Sequence, residues 1–426
     1  MTNTSLNRAT SLKKWFTIGI GVKRWFFALF VSVLCEALGL VFGTLHLLGV
    51  PGFADAPMRG WLLTIFFLAA GFVLFVLALI GFSTNILAPY RTQLPAPIID
   101  VVYSHSRRNK GTKVVAVGGG TGLPAVLKGL KAFTSNITAI VTVADDGGSS
   151  GRLRRELGVL PPGDLRNNIA ALSDDENLMT QLFQYRFQGG DIDGHSFGNL
   201  FISALSGVTG SLEKALVETE RVLNIKGRVL PATLADVTLS AHIQLPNSRK
   251  PVIIHGESAI GSANGHIEEV YLVPRTVEAY HGSVQAILNA DIVVIGPGSL
   301  YTSILPNLLI EGITSALRST SALKVYICNI ATQPSETIDY NVADHIIALE
   351  QHIGRGIFQI VLANNAYPVR NAGENTHYVL PAPPNHEVAQ RYEIHYTDLV
   401  DTERPWRHDP QKLVKAILSL GVTEYA

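Results

Sequence analysis

Cysteine and charged residues are scarce in this chain, and neither sign of charge is in excess. Its 426 residues include only two cysteines, Cys35 and Cys328, which excludes a disulfide framework and favours a reducing compartment. Lysine and arginine together number 34, as do aspartate and glutamate, so the overall charge gives no reason to expect a nucleic-acid partner. Charged residues make up 16% of the chain and hydrophobic residues 47%, a composition that indicates membrane segments.

Several common ligand-binding patterns are also missing. The chain has no G-x-x-x-x-G-K-[ST] sequence, which argues against a P-loop nucleotide hydrolase. It has no Cys/His cluster with zinc-ligand spacing, no long repeat and no low-complexity tract. The length is nonetheless sufficient for a large core and for more than one unit.

Two long apolar runs lie in the N-terminal segment, residues 1–88. The runs, at about residues 25–50 and 61–82, are each long enough to cross a bilayer as a helix. The segment Pro51–Gly60 between them is short, so we expect a transmembrane hairpin that contacts membrane lipid. Glu36 lies in the first run, either as a functional carboxyl group or, as we prefer, at the packed interface of the hairpin.

The distribution of lysine and arginine predicts the orientation of this hairpin. Basic residues precede the first run and follow the second, whereas the loop between the runs contains only Arg59. By the positive-inside rule, we expect a multi-pass protein of the plasma membrane with both termini and the remaining chain in the cytoplasm. Residues 89–110 are expected to form a linker to a domain at residues 111–426. The flanking basic residues are Arg8, Lys13, Lys14, Lys23, Arg24, Arg91, Arg107, Arg108, Lys110 and Lys113.

A glycine-rich stretch, Lys113–Gly122 (KVVAVGGGTG), follows the linker. An apolar run leads into four glycines and Thr121, and a helical pattern begins at Leu123. A strand, a glycine turn and a helix start in this order suit a phosphate group, because backbone N–H groups and the helix dipole face the ligand. Leu123 stands where a dinucleotide motif has its third glycine, so both a nucleotide site and a tight structural turn remain open.

An acidic, glycine-rich loop, DDGGSSG, follows the next apolar run, Ile137–Val143. Parallel strands place such loops at one edge of the sheet, so we expect this loop beside the first. Asp145 and Asp146 have three candidate tasks, which are to hold a ribose, to hold Mg²⁺ beside phosphates or to accept a proton. A helix cap or turn is the structural alternative. Arg152 and the two arginines that follow it are suited to a phosphate.

Further polar residues occur where helices are expected to begin. Asp164 is predicted to cap the helix that runs through Ile169–Leu172. His195 suits phosphate binding, proton transfer or a structural hydrogen bond, and Asn199 suits a base or a sugar. A second glycine turn, GPGS at residues 296–299, follows another buried strand.

The order of these patterns predicts an α/β fold. Continuous apolar runs alternate with helices, which is typical of a Rossmann-like, doubly wound, mostly parallel sheet. Residues 228–274 alternate in polarity and are predicted to be a small β-rich insertion. Two transmembrane helices precede this domain.

The motifs together resemble those of the CofD/YvcK family, from about Lys113 to the C-terminus. They are GGGTGL at 118–123, VADDGGSSGRLR at 143–154, PPGDLRN at 161–167, GHSFGNL at 194–200, ADIVVIGPGSLYTSILPNLL at 290–309 and CNIATQP at 328–334. One branch of this family contains phospholactate transferases, which use Mg²⁺. The other branch contains YvcK-like gluconeogenesis factors, and the long acidic-loop and second-turn strings resemble that branch.

The resemblance implies a regulator that binds a UDP-sugar or related nucleotide and is linked to gluconeogenic growth, cell shape and peptidoglycan precursor supply. It also implies ligand contacts by Gly119, Gly120, Thr121, Gly122, Arg152, Asn168, His195, Asn199, Gly298 and Ser299. The alternative is a transferase that moves a phospho-group from a nucleotide-activated donor, with Asp145 and Asp146 as catalytic residues and Asp145 as a ligand of Mg²⁺. A membrane scaffold with a vestigial fold is the third interpretation. We also expect a homo-oligomer and contacts with enzymes of cell-wall precursor synthesis.

Overall fold

The computed structural model describes residues 23–50, 57–91, 111–173, 178–246, 248–369 and 376–422. The chain divides into two compact units, Met1–Ser104 and His105–Ala426. The basic residues before Lys23, residues 51–56 of the predicted hairpin loop and residues 92–110 of the predicted linker lie outside the described residues, whereas residues 57–60 belong to the second helix.

The N-terminal unit consists of two long helices, α1 (Lys23–Leu47) and α2 (Pro57–Arg91), which pack against each other. Both helices are long and apolar enough to cross a membrane. Only 11% of the most apolar part of α1 and 17% of that of α2 is buried. Glycines permit the close approach of the two helices. A Cβ atom added at Gly39 would lie 2.9 Å from the Leu68 side chain. One added at Gly71 would lie 2.7 Å from Cγ of Glu36, so Glu36 packs in the interface between the helices.

The second unit is built on a seven-stranded sheet in which every strand pair is parallel. In chain order its strands are β1 Val114–Gly118, β2 Ile137–Val141, β3 Arg228–Pro231, β7 Ile292–Ile295, β8 Leu323–Ile327, β9 Ile360–Asn364 and β10 Glu393–Thr397, and the three strands between β3 and β7 form a separate sheet described below. The strand order is β10-β9-β8-β7-β1-β2-β3. All five residues of β1 and all four of β7 are buried, as a sheet covered on both faces requires.

Helices connect the strands and cover the sheet. In chain order they are α3 Leu123–Leu130, α4 Gly148–Leu157, α5 Gly163–Leu172, α6 Leu178–Gln184, α7 Phe197–Thr209, α8 Leu212–Leu223, α9 Glu257–Ile260, α10 His281–Leu288, α11 Leu305–Leu308, α12 Glu311–Ser319, α13 Val342–Ile353, α14 Glu387–Arg391 and α15 Pro410–Val422. A π-helical turn, Leu300–Ile304, immediately precedes α11. The architecture confirms the predicted Rossmann-like α/β class with two apolar N-terminal helices.

The antiparallel insertion is smaller than predicted. It contains β4 (Thr238–Gln244), β5 (Val252–His255) and β6 (His266–Val273), in the order β5-β4-β6. The predicted start at residue 228 was wrong, because Arg228–Pro231 is strand β3 and pairs in parallel with β2. The antiparallel sheet therefore begins only at Thr238.

The strand order has a switch point between β1 and β7. The chain runs outwards from β1 through β2 to β3, and then runs outwards from β7 through β8 and β9 to β10 on the other side. Ligands of open α/β sheets bind where the order reverses, outside the carboxyl ends of the strands. The two glycine turns follow the two strands that flank this point, β1 and β7.

Candidate functional site

The glycine turns after β1 and β7 touch each other at the switch point. A Cβ atom at Gly122 would lie 2.5 Å from the Pro297 carbonyl oxygen and 2.9 Å from Cα of Gly298. Gly120 has a φ of +61°, in the left-handed region that favours glycine. Glycine has no Cβ atom, and its presence in both turns therefore allows the two backbones to come into contact.

A cleft of about 320 Å³ opens beside this contact. Four of the residues predicted to bind the ligand line it, which are Thr121, Gly122, Gly298 and Ser299. Its other lining residues include Lys128, Asn329, Thr332, Gln333, Arg404, Trp406 and Arg407. The cleft thus combines exposed backbone, amide side chains, an indole ring and three cationic side chains with one carboxylate, Asp401, which pairs with Arg404 (3.4 Å).

The cationic side of the cleft comes from a segment that the motifs did not identify. Arg404, Trp406 and Arg407 lie between β10 and α15, and Lys128 lies on the exposed side of α3. His408, which is buried, holds this segment to the core through a hydrogen bond between its Nε2 and the Cys328 carbonyl oxygen (3.3 Å). Burial lowers the pKa of His408 to about 4, so its ring is neutral. The only sequence signal for this segment was the string RPWRH at residues 404–408. It follows no predicted strand, so the motifs did not connect it with the cleft.

Two amide side chains hold the second glycine turn in place. The Gly298 N–H donates to Asn329 Oδ1 (3.2 Å), and Asn329 Nδ2 donates to the Gly298 carbonyl oxygen (2.8 Å). Gln333 Nε2 donates to Ser299 Oγ (2.7 Å), while Gln333 Oε1 is buried and has no partner among the described residues. Both amides follow β8, the strand next to β7.

Asp164 occupies the other side of the first glycine turn and corrects a prediction. The helix that contains it starts at Gly163 and has no side-chain cap, so Asp164 does not cap its own helix. Its Oδ2 instead accepts a hydrogen bond from the Gly120 N–H (2.9 Å). Burial raises the pKa of Asp164 to about 6, and the negative charge of Asp145 contributes to the shift.

The two carboxyl groups of the acidic loop have different surroundings. Asp145 Oδ1 accepts a hydrogen bond from the Gly147 N–H (2.9 Å), and burial raises the pKa of this residue. Asp146 Oδ1 accepts a hydrogen bond from the Ser258 N–H (2.9 Å), in the first turn of α9. Asp146 therefore joins the acidic loop to the insertion, a contact that sequence reasoning missed.

Glu257 is a further acidic residue that the sequence did not point to. It begins α9 of the insertion and is half-buried. Burial and the charges of Asp145, Asp164 and Asp146 raise its pKa to about 8. At neutral pH this carboxyl group is mostly protonated and is able to donate a hydrogen bond.

The carboxyl groups do not form a cation site by themselves. Within the described ranges, no group of three or more His, Cys, Asp or Glu side chains is placed to hold a metal ion. Asp145 as a ligand of Mg²⁺ remains a prediction, and such an ion would take further ligands from the phosphates of a substrate.

Of the remaining predicted residues, Gly119 and Gly120 lie beside Asp164 and do not line the cleft. Arg152 lies on α4, and His195, Asn199 and Asn168 lie with Ser149 near the starts of α4, α5 and α7. Ser149 Oγ and His195 Nδ1 are hydrogen-bonded (2.9 Å), and Asn199 Nδ2 donates to Ser149 Oγ (3.0 Å). Asn168 is fully buried, and its Nδ2 donates to the Asp164 carbonyl oxygen (2.7 Å). None of these four residues lines the cleft.

These features define a doubly wound α/β protein with a cleft at its switch point and an acidic cluster beside it. The profile of the family described as 2-phospho-L-lactate transferase CofD matches residues 114–408, and the chain belongs to this family. The resemblance drawn from the motifs is thereby confirmed at the level of the family.

The chain is similar in sequence to proteins that are named gluconeogenesis factors. A putative gluconeogenesis factor of Nostoc sp. is 42% identical over 434 residues, covering 97% of this chain and 93% of that protein. The gluconeogenesis factor of Bacillus subtilis is 50% identical over 254 residues, covering 59% of this chain and 78% of that protein. A crystal structure of a UPF0052 family member from Bacillus halodurans matches with a TM-score of 0.68 and 42% identity, covering 72% of this chain and 100% of that one.

Proposed function

We propose that this protein binds a UDP-sugar or a related nucleotide in the cleft at the switch point and acts as a regulator. The observation that carries the proposal is the contact of two glycine turns at the wall of a cleft lined by Lys128, Arg404 and Arg407, where the only carboxylate among the described lining residues is Asp401, the partner of Arg404. Backbone N–H groups and cations together suit a diphosphate. Trp406 offers an aromatic face for a base, and the amides of Asn329 and Gln333 offer hydrogen bonds for a base or a sugar.

Titration calorimetry of the full chain in detergent with UDP-N-acetylglucosamine tests this proposal. We expect saturable binding that Arg407→Gln weakens roughly ten-fold, because one charged hydrogen bond to phosphate is lost. Lys214→Gln, at an exposed position on α8, serves as the matched control and should bind like the wild type. Absence of heat at millimolar ligand, with folded protein, would contradict the proposal.

The biological setting follows from the relatives' names and from the family resemblance. Several relatives are called gluconeogenesis factors, and we propose that this chain likewise supports gluconeogenic growth and links nucleotide-sugar levels to cell shape and peptidoglycan precursor supply. Homo-oligomers and enzymes of cell-wall precursor synthesis are the proposed partners. Cross-linking in intact cells, followed by identification of the attached proteins, tests these partners.

We also propose that α1 and α2 span the plasma membrane and that the α/β unit is cytoplasmic. Exposed large side chains along both helices support this, since Phe27, Leu47 and Leu62 have 69%, 73% and 61% of their surface exposed. Single cysteines introduced near residue 55 should react with a membrane-impermeant thiol reagent added outside spheroplasts, whereas cysteines near residue 380 should react only after lysis. The reverse pattern would contradict the proposed orientation.

A transferase is the second candidate, and the acidic cluster favours it. Asp164 contacts the first glycine turn, Asp145 and Glu257 interact electrostatically with Asp164, and burial raises the pKa of all three, to about 6 for Asp164 and to about 8 for Glu257. Asp145 would accept the proton of an attacking hydroxyl group, and protonated Glu257 would donate a proton. Bound Mg²⁺ would also neutralise part of the negative charge of the phosphates.

Release of free nucleotide from UDP- or GDP-activated donors tests the transferase activity. Asp145→Asn should abolish release while calorimetric binding of the donor persists, because the variant removes the base but not the cleft. Glu268→Gln, at an exposed position on β6, is the control and should leave release unchanged. If the wild type binds the donor but releases no free nucleotide, the result would contradict the transferase and would agree with the regulator.

A further inference from the structure

We propose that this protein has a second anion site, specific for a phosphate or phosphomonoester dianion, formed by Arg152, Arg166, Arg186 and His195. The site lies at the starts of α4 and α7, outside the cleft. It does not depend on which ligand the cleft takes.

Three guanidinium groups converge there with neutral acceptors as their hydrogen-bond partners. Arg152 donates to the Asp193 carbonyl oxygen, Arg186 to the Gly194 carbonyl oxygen and Arg166 to the side-chain oxygen of Asn167. In the part of the chain that the structure describes, no salt bridge to a carboxylate satisfies any of these three arginines. These guanidinium groups are thus held by neutral acceptors, and carboxylate charge reaches Arg166 only through space, from Asp164 and Asp145.

The arginines are close enough to act on one another and on His195. Burial lowers the pKa of Arg166, and the charge of Arg186 lowers it further. Burial likewise lowers the pKa of His195, with contributions from Arg152 and Arg186. The negative charges that oppose these effects come from Asp164 and Asp145 at Arg166 and from Glu156 at His195. An anion that binds between these like charges reduces the repulsion among them.

An unpartnered donor occurs in the same cluster. Arg166 Nε is buried without a described partner. Helix α4 has no side-chain cap on its first-turn N–H groups. A buried donor and an uncapped helix start beside three arginines favour an oxyanion over a neutral ligand.

The site is distinct from the cleft. None of Arg152, Arg166, Arg186 and His195 lines the cleft, whose cations are Lys128, Arg404 and Arg407. Asp164 lies between the two, because it bonds to Gly120 of the first glycine turn and acts electrostatically on Arg166. A carboxylate in this position disfavours one continuous polyphosphate and favours two separate anions.

Calorimetric titration of the full chain in detergent with inorganic phosphate is the test. We expect saturable binding in the millimolar range or tighter, weakened roughly ten-fold or more by Arg186→Gln, because one charge-assisted bond is removed. Arg186 is exposed, so the substitution should not disturb folding, and Arg186→Lys should restore part of the affinity. Lys214→Gln, at an exposed position on α8, should bind phosphate like the wild type, and Arg186→Gln should keep its affinity for the cleft ligand.

A second measurement separates binding from a structural role. Phosphate should raise the pKa of His195 in an NMR titration of the wild type, because a nearby dianion favours the protonated ring, and Arg152→Gln should reduce that rise. Unchanged phosphate affinity in Arg186→Gln would overturn the proposal, as would an equal loss of affinity for the cleft ligand in that variant. Absence of binding by folded wild type up to about 20 mM phosphate would overturn it as well.

Discussion

Glu257 lies beside other carboxyl groups, and its ionisation should make stability depend on pH. Its pKa of about 8 in the folded protein is above the usual value of 4.5, so the unfolded chain loses the proton first as the pH rises. The contribution of this group to stability is complete below about pH 4.5 and is lost as the pH rises towards 8. Glu257→Gln should therefore be more stable than the wild type by on the order of 4 kcal/mol at pH 8 and about equally stable at pH 4.5.

Thermal unfolding of both proteins between pH 4.5 and 8 measures this difference. Glu268→Gln, on the exposed face of β6, is the control and should follow the wild type at every pH. A constant difference between Glu257→Gln and the wild type would show that ionisation of Glu257 is not its cause.

Gly122 should be intolerant of any side chain. A Cβ atom there would come within 2.5 Å of the Pro297 carbonyl oxygen, which belongs to backbone and has little freedom to move. We expect Gly122→Ala to lower the free energy of unfolding by roughly 1–3 kcal/mol and to weaken nucleotide binding in the cleft. Gly207→Ala, on an exposed face of α7 with open space around it, should be neutral or stabilising by up to about 1 kcal/mol. Equal melting temperatures for the two variants would contradict the close contact of the turns.

Individual site residues were predictable where a strand ends in glycine. The sequence pointed to Gly122 and Gly298 because a turn that allows close backbone approach needs glycine at defined places. It did not identify Glu257, Arg404 or Arg407, because these residues follow no motif and reach the site only through the path of the chain. Asp164 was found but given the wrong task, since its side chain points away from its own helix start.

At the scale of elements, the two N-terminal helices should depend on small residues at their interface. Gly71→Leu would place a side chain where Glu36 Cγ and the Ser32 carbonyl oxygen now lie, at 2.7 and 3.0 Å from an added Cβ. We expect this variant to lose helix pairing at a lower mole fraction of SDS than the wild type, measured by circular dichroism and cross-linking in mixed micelles. Ala69→Leu adds a similar volume on an exposed face of α2 and should behave like the wild type. Equal sensitivity of the two variants would argue against the packed interface.

Helices and buried strands were predicted well because their signals are local. Continuous apolar runs marked β1, β2 and β7, and uninterrupted hydrophobic stretches marked α1 and α2. The insertion boundary was wrong because Arg228–Pro231 is too short for its sequence to reveal whether it pairs in parallel or antiparallel. The direction in which β3 pairs depends on its neighbouring strand, which is β2.

At the scale of the whole molecule, the N-terminal unit should determine where the protein is found. The full chain should sediment with membranes and resist carbonate extraction, whereas a chain of residues 105–426 should remain in the supernatant and keep its affinity for the cleft ligand. The expectation rests on the cleft being built within the second unit alone. Recovery of the full chain in the supernatant would contradict the membrane proposal, and loss of ligand affinity by the shorter chain would contradict the independence of the cleft.

The sequence by itself determined the class of fold, the family and the two glycine turns. These follow from local rules, since a strand buried on both faces must be apolar throughout and a close backbone contact must be glycine. The tertiary structure alone decided which charged groups meet. It brought Arg407 to the cleft, Glu257 to the acidic loop and Arg186 to His195, from distant parts of the chain. Charges interact through space, and their partners are set by the path of the backbone, which no local pattern encodes.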